Sequence, residues 1–197
     1  DGLPQLSATP TWSTATRFEA QLGGTDGTHG TGWDTNRRIA TWNPSAGTNG
    51  AGGGVAFRLA NLSAEQQGLL NTSYVDGNDS ANYIKWLRGD STLDGKGYRP
   101  RYTNVTNDQG LSQVRRKRLG DIVNSKVTVV TAPPAAYSDT LNPGYAAFKK
   151  AHANRQPMLY VGANDGMLHA FKGALGSDAG QELFAYVPSA LFYRDPM

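Results

Sequence analysis

The sequence predicts a mainly β fold with a few short helices, and three observations carry that prediction. Of the 197 residues, 38% are hydrophobic and only 18% charged, while Gly counts 24, Trp 4 and Tyr 9. That balance favours turn-rich β structure over helical bundles. Short runs rich in Val, Ile, Thr and aromatic residues are bounded by Gly, Pro and Asn. Two such runs, Met158 to Gly162 and Met167 to Phe171, are joined through Ala163-Asn164-Asp165-Gly166. This is a hairpin spacing, because Asp and Gly tolerate the positive φ of a tight turn.

Along the chain, Ala15, Arg17, Glu19 and Gln21 alternate with Thr16, Phe18, Ala20 and Leu22, the period of two expected of a half-buried strand. A Gly, Thr and Asp loop follows from Gly23 to Gly32, and Arg38 to Trp42 and Gly54 to Leu59 predict two further strands. The segment Gly47 to Gly54 lacks both the Gly-Lys-Ser/Thr ending and the helix-opening glycine pattern of phosphate loops, and reads as a flexible turn. Ser63-Ala64-Glu65-Gln66 is a capping box that opens a helix running to about Leu70. A second helix starts at Asp79 or Ser80, carries Tyr83, Ile84, Trp86 and Leu87, and stops at Gly89 in the left-handed conformation. Asn142 as N-cap and Pro143 at the first helical position predict a third, with Tyr145 and Phe148 on one face.

Lys126 to Thr131 is dense in Val and Thr, as a strand should be, and stops before Pro133-Pro134. With Glu182 to Val187 added, Met158 onward supplies three successive antiparallel strands, most of one four-stranded propeller blade. Residues 1–62 are expected to form N-terminal strands and Gly-rich loops leading into the propeller. Residues 63–197 are expected to form its first blade or blades with inserted helices. Asp1-Gly2-Leu3-Pro4 has no leader, and Leu191 to Met197 follows a strand without a polar tail, so both ends read as cuts and the propeller as incomplete, truncated at its C-terminal end.

Composition also excludes function classes. A net charge of +3 is too small for a nucleic-acid footprint, and no apolar run reaches membrane-spanning length. Without Cys there is no disulfide, thiolate nucleophile or zinc-thiolate site, which is compatible with secretion as well as with the cytoplasm. His29, His152 and His169 lie far apart with no metal-ligand spacing, His169 reading as a strand histidine with a satisfied hydrogen bond, and no G-x-S-x-G elbow occurs. Arg115-Arg116-Lys117-Arg118 reads as a solvated loop. Asp76-Gly77-Asn78-Asp79 has too few alternating ligands for a calcium loop and reads as a turn or helix cap. Arg88-Gly89-Asp90 has two readings. It is a helix end, with Gly89 as cap and Arg88 complementing the dipole, or a receptor motif whose guanidinium meets a carboxylate and whose Asp completes a metal site on a partner.

Met158 to Phe171, reading MLYVGANDGMLHAF, and Gly180 to Ser189, reading GQELFAYVPS, resemble the propeller of the PilY/PilC family of type IV pilus tip proteins. Upstream, Trp86 to Asp90, Tyr98 to Arg101 and Arg118 to Ser125 occur in the order that family shows, so the likeness covers about residues 80 to 190. The resemblance implies a large protein exported across the outer membrane to the bacterial surface or pilus tip. Its propeller would support pilus biogenesis and its variable N-terminal half adhesion, both without catalysis. Implied partners are minor pilins of the pilus tip, the remaining blades of the parent, and a host receptor such as an integrin engaged through Arg88, Gly89 and Asp90. No cofactor is evident in this segment, and the family's calcium loops would lie in other parts of the parent. The alternative is a quinone-dependent oxidoreductase, because Tyr160 to Gly166 and Gly180 to Phe184 also look like quinoprotein blades. That chemistry needs a quinone and calcium held at a hub by many blades, which this length cannot close.

Overall fold

The computed structural model describes residues 10–23, 29–48, 51–71, 77–106 and 108–193. The first half carries helices α1 (Thr14–Leu22), α2 (Gly32–Thr35), α3 (Ala64–Leu69) and α4 (Ser80–Arg88), with strands β1 (Ile39–Asn43) and β2 (Gly53–Ala56) among them. The second half carries β3 (Tyr102–Thr106), β4 (Ser112–Arg116), β5 (Thr128–Val130), α5 (Tyr145–Ala151), β6 (Met158–Gly162), β7 (Leu168–Lys172) and β8 (Glu182–Val187). Six strands form one sheet in the order β2-β1-β8-β7-β6-β5, and β3 and β4 form a separate hairpin.

Strands β5 to β8 make an antiparallel meander, the unit expected from the hairpin spacing. Strand β1 then joins β8 in parallel, with Ile39 opposite Ala185 and Thr41 opposite Val187, and β2 folds back on β1. Strands from both sides of residue 62 therefore share one sheet. Between β6 and β7 the Ala163 amide donates to Met167 O at 3.0 Å and the Gly166 amide to Ala163 O at 3.1 Å. Gly166 alone of the Asp-Gly pair takes a positive φ, 80°; Asp165 instead accepts the Met167 amide on its carboxylate at 3.1 Å.

The two faces of this sheet have different surroundings. Val161, His169, Ala185 and Ile39 stand in one cross-strand row, all buried. That row is covered by helices: Phe18 and Leu22 of α1 cluster with Val161 and Phe171, and Ile84 of α4 with Ile39, Ala185 and Val187. Burying side chains of this size stabilises by roughly 1.5–3 kcal/mol each. On the opposite face Leu168, Tyr186 and Ala40 form one row with Tyr160 and Phe184 beside it; Leu168 is 40% and Trp42 44% exposed, and Tyr160, Phe184 and Tyr186 are half-buried.

Several expectations change. Ala15 to Leu22 is helix rather than strand: its alternation coincides with an i, i+4 pair, Phe18 and Leu22, that alone is fully buried, while Thr16 and Ala20 face solvent. Ala, Arg, Glu, Gln and Leu are all good helix formers, and Gly23 at φ 68° ends the run. The third helix starts at Tyr145, not at Asn142-Pro143, because Gly144 takes φ 89° and breaks any helix entering from Pro143. The Ala146 amide is capped by the Asp139 carboxylate at 2.7 Å. The capping box at Ser63 forms as expected, both of its bonds being present. Residues 49 and 50 of the Gly47 to Gly54 turn lie outside the described residues.

Candidate functional site

Helix α4 is amphipathic, and its buried side carries Ile84 and then Arg88 into the protein. Its end is set by Gly89, whose amide donates to Lys85 O and Trp86 O at 3.1 and 2.9 Å and whose φ is 114°. A Cβ at this position would stand 2.4 Å from Leu22 Cδ2. Arg88, only 2% exposed, donates to Phe57 O at 3.2 Å and Trp33 O at 3.1 Å. Its buried Nε has no partner. Burial first, and the neighbouring Arg58 and Arg37 after it, lower the Arg88 pKa to about 10 against the pull of Asp34 and Glu182. Asp90 is 7% exposed and accepts the Thr92 amide at 2.9 Å and the Thr92 hydroxyl at 2.7 Å. Arg101 donates to the Asp90 carbonyl at 2.7 Å and pairs with the Asp94 carboxylate. All three residues of the Arg-Gly-Asp tripeptide are thus folded into the helix end, and either charged group must leave its partners before it can touch a receptor.

Beside Arg88 lies a charge chain that the sequence reading missed. Arg37, at the entry to β1, grips Glu182 with two bonds of 2.8 and 3.0 Å, and its guanidinium lies 4.7 Å over the Phe18 ring. Glu182 also meets His169 Nδ1 at 2.7 Å, and His169 Nε2 reaches both oxygens of Asp165 at 3.1 Å. Burial pushes Glu182 up, but Arg37 and His169 outweigh it and hold the carboxyl at about 2. Burial likewise opposes the charged forms of His169 and Asp165, yet their mutual bond prevails, raising the imidazole and lowering the carboxyl. With a carboxylate at each ring nitrogen the charged form of His169 is favoured, and in that form both nitrogens donate and no lone pair is left to act as a base. The sequence signal for this chain was faint: Glu182 is one charge at the head of an apolar strand, and nothing local ties it to Arg37.

The remaining sequence candidates fall elsewhere. His29 Nδ1 meets Ser91 Oγ at 2.8 Å, and His152 packs on Phe148 with ring centroids 4.6 Å apart. Asp76 lies outside the described residues, and Asp79, 3% exposed, accepts the Tyr98 hydroxyl at 2.5 Å, so its carboxylate serves the fold. Among the described residues no group of three or more His, Asp or Glu is placed to hold a metal ion. The basic run is not one solvated loop. Arg115 and Arg116 belong to β4, and Arg118, 3% exposed, pairs with Glu19 of α1 at 2.7 Å.

Two cavities border these groups. One, of about 410 Å³, lies between α4 and the β6–β7 turn and is lined by Trp86, Arg99, Lys117, Asp121 and Asp165. The other, of about 650 Å³, lies over the junction of β1, β2 and β8 and is lined by Asp34, Arg38, Arg58, Arg88, Val55 and Phe184 among others.

Residues 119–196 match the family model described as the PilY1 beta-propeller domain, a span that contains β5 to β8. A type IV pilus biogenesis factor PilY1 homolog of Xylella fastidiosa is 43% identical over 115 residues, covering 56% of this chain and 8% of that protein. The type IV pilus biogenesis factor PilY1 of Pseudomonas aeruginosa is 37% identical over 155 residues, 74% of this chain and 12% of its own length. The chain thus spans only about a tenth of the relatives it matches. No solved structure matches it. Among the described residues no helix is long and apolar enough to cross a membrane.

Proposed function

The chain is of PilY1 type, and from that premise we propose that it serves as a non-catalytic structural module of a type IV pilus biogenesis factor at the bacterial surface or pilus tip. One observation carries the reading. The span matched by the propeller model coincides with a four-stranded antiparallel unit whose one face is covered by the chain's own helices and whose other face carries the half-buried aromatic residues Tyr160, Phe184 and Tyr186 and the exposed Leu168. Sheets bury such faces against one another at about 10 Å. In this proposal further blades of the longer protein take that face, and the assembled propeller supports pilus formation, with minor pilins as partners. Calcium, where the longer protein carries it, is held by segments outside this chain.

The test is Tyr186→Asp in the longer protein, expressed in its own bacterium. Tyr186 lies on that face, opposite Ala40 and Leu168. A charge there prevents another sheet from docking, so surface pili should fall sharply. Normal piliation with the variant protein exported at normal level would overturn the proposal. Adhesion belongs here as a second role of the longer protein, and the burial of Arg88 and Asp90 favours segments other than this tripeptide as its carrier.

A further inference from the structure

We propose that the cavity over the β1–β2–β8 junction is a recognition site for an acidic peptide segment, with carboxylate side chains on its arginines and a neighbouring apolar side chain against Val55 and Phe184. The argument begins with charge. The inner chain Arg37, Glu182, His169 and Asp165 is paired within itself. Outside it stand Arg38, Arg58 and Arg88, and the one carboxylate lining the cavity with them is Asp34. Asp34 pairs directly with Arg58, and its Oδ1 lies 3.8 Å from Arg88 Nη2. Arg38 is exposed and has no side-chain partner among the described residues. The cavity is left with two positive charges in excess.

A second, independent observation is the Nε of Arg88, a buried donor without an acceptor on a side chain that lines this cavity. Buried donors of this kind are rare, and leaving one unpaired is costly. Burial first, and then the neighbouring Arg58 and Arg37, oppose the charge of Arg88, which an added carboxylate would favour.

Size and lining then choose the ligand. A lone inorganic anion would occupy a corner of about 650 Å³, a volume in the range of small-molecule sites, and would leave the apolar part empty. Guanidinium forks bind carboxylates with two parallel bonds, and Ala40, Val55, Ala56 and Phe184 beside them suit an aliphatic neighbour. An extended segment that alternates acidic and apolar residues meets both requirements. The inference stands on the cavity and is tested on this chain without further blades; Ala40 and Phe184 lie on the face assigned above to those blades, so a docked blade and the peptide would compete for them.

The experiment is fluorescence anisotropy on the full chain at sub-micromolar concentration. One probe is a labelled peptide alternating Glu and Leu, and the other its Gln counterpart. The Glu peptide should bind and the Gln peptide should not. Arg38→Gln should weaken binding by about tenfold or more, the loss of one charge-assisted pair. Arg38 lacks a structural partner, so that variant should keep the melting temperature of the parent chain, whereas Arg58→Gln is the stronger but less neutral test. Equal binding of the two peptides would overturn the proposal, as would an Arg38→Gln variant that binds the Glu peptide unchanged. Displacement by micromolar inorganic phosphate, or Arg38-dependent capture by phosphatidylglycerol vesicles with no peptide binding, would also overturn it by assigning the cavity to a free anion or a membrane.

Discussion

At the scale of single residues, His169 makes the protein's stability depend on pH in a defined direction. Its pKa is raised in the fold, so its contribution is complete below the ordinary imidazole value of about 6.5 and fades as pH rises through the folded value. Glu182 and Asp165 are lowered, so theirs is complete above the ordinary carboxyl range of about 4 and, for Glu182, is lost as pH falls through about 2. Thermal melts should therefore show a plateau between about pH 5 and 6.5 and a decline on the alkaline side. His169→Gln should lower the plateau and flatten that alkaline decline; an unchanged pH profile in the variant would remove His169 from this role. Asp90 supplies a second test. Its carboxylate holds Thr92 by two bonds, so Asp90→Ala should cost about 1–2 kcal/mol in a denaturant titration. Host-cell attachment by the longer protein, normalised to the amount on the surface, should be unaltered; a selective loss of attachment would restore the tripeptide as a receptor motif.

At the scale of elements, the β6–β7 turn rests on Gly166 at φ 80°, with Leu191 Cδ1 only 3.1 Å from where a Cβ would stand. Gly166→Val should cost about 1 kcal/mol or more, read as a lower denaturation midpoint at unchanged slope. This turn was legible in the sequence because its signal is local, as were the capping box at Ser63 and the left-handed stop at Gly89. Helix α1 was not legible, because nine residues can satisfy a period of two and an i, i+4 pair at once, and only the sheet beneath decides which face is buried. The parallel pairing of β1 with β8 leaves no local trace at all, since neither strand carries a mark of its partner's direction. The candidate site divides in the same way: Arg88, Gly89 and Asp90 were found by their contiguity, whereas Arg37, Arg58, Asp34 and Glu182 meet only through the fold.

At the scale of the whole molecule, the sheet face that carries Leu168, Tyr186 and Trp42 governs behaviour in isolation. Leu168 is 40% exposed there, and β2 and β5 are the outer strands of the sheet. Open edges and apolar faces recruit other chains. At micromolar concentration the chain alone should self-associate, measured by light scattering coupled to size exclusion, and Tyr186→Asp should reduce that association. A strictly monodisperse, cooperatively melting monomer would show that the face needs no cover. The parallel strand pair also sets a timetable. Arg37 and Glu182, which bracket it, are 145 residues apart, so the N-terminal strands gain their inner partner only after nearly the whole chain has emerged. At about 5–20 residues per second of synthesis, that is a wait on the order of ten seconds. Contacts of such long range also form late in folding, because loop closure comes before the reward. Throughout that interval β1 has β2 but not β8 beside it, and Phe18 and Leu22 of α1 lack Val161 and Phe171. The early segment thus stays open to proteases, and in need of a holding chaperone, until β8 arrives to lock it.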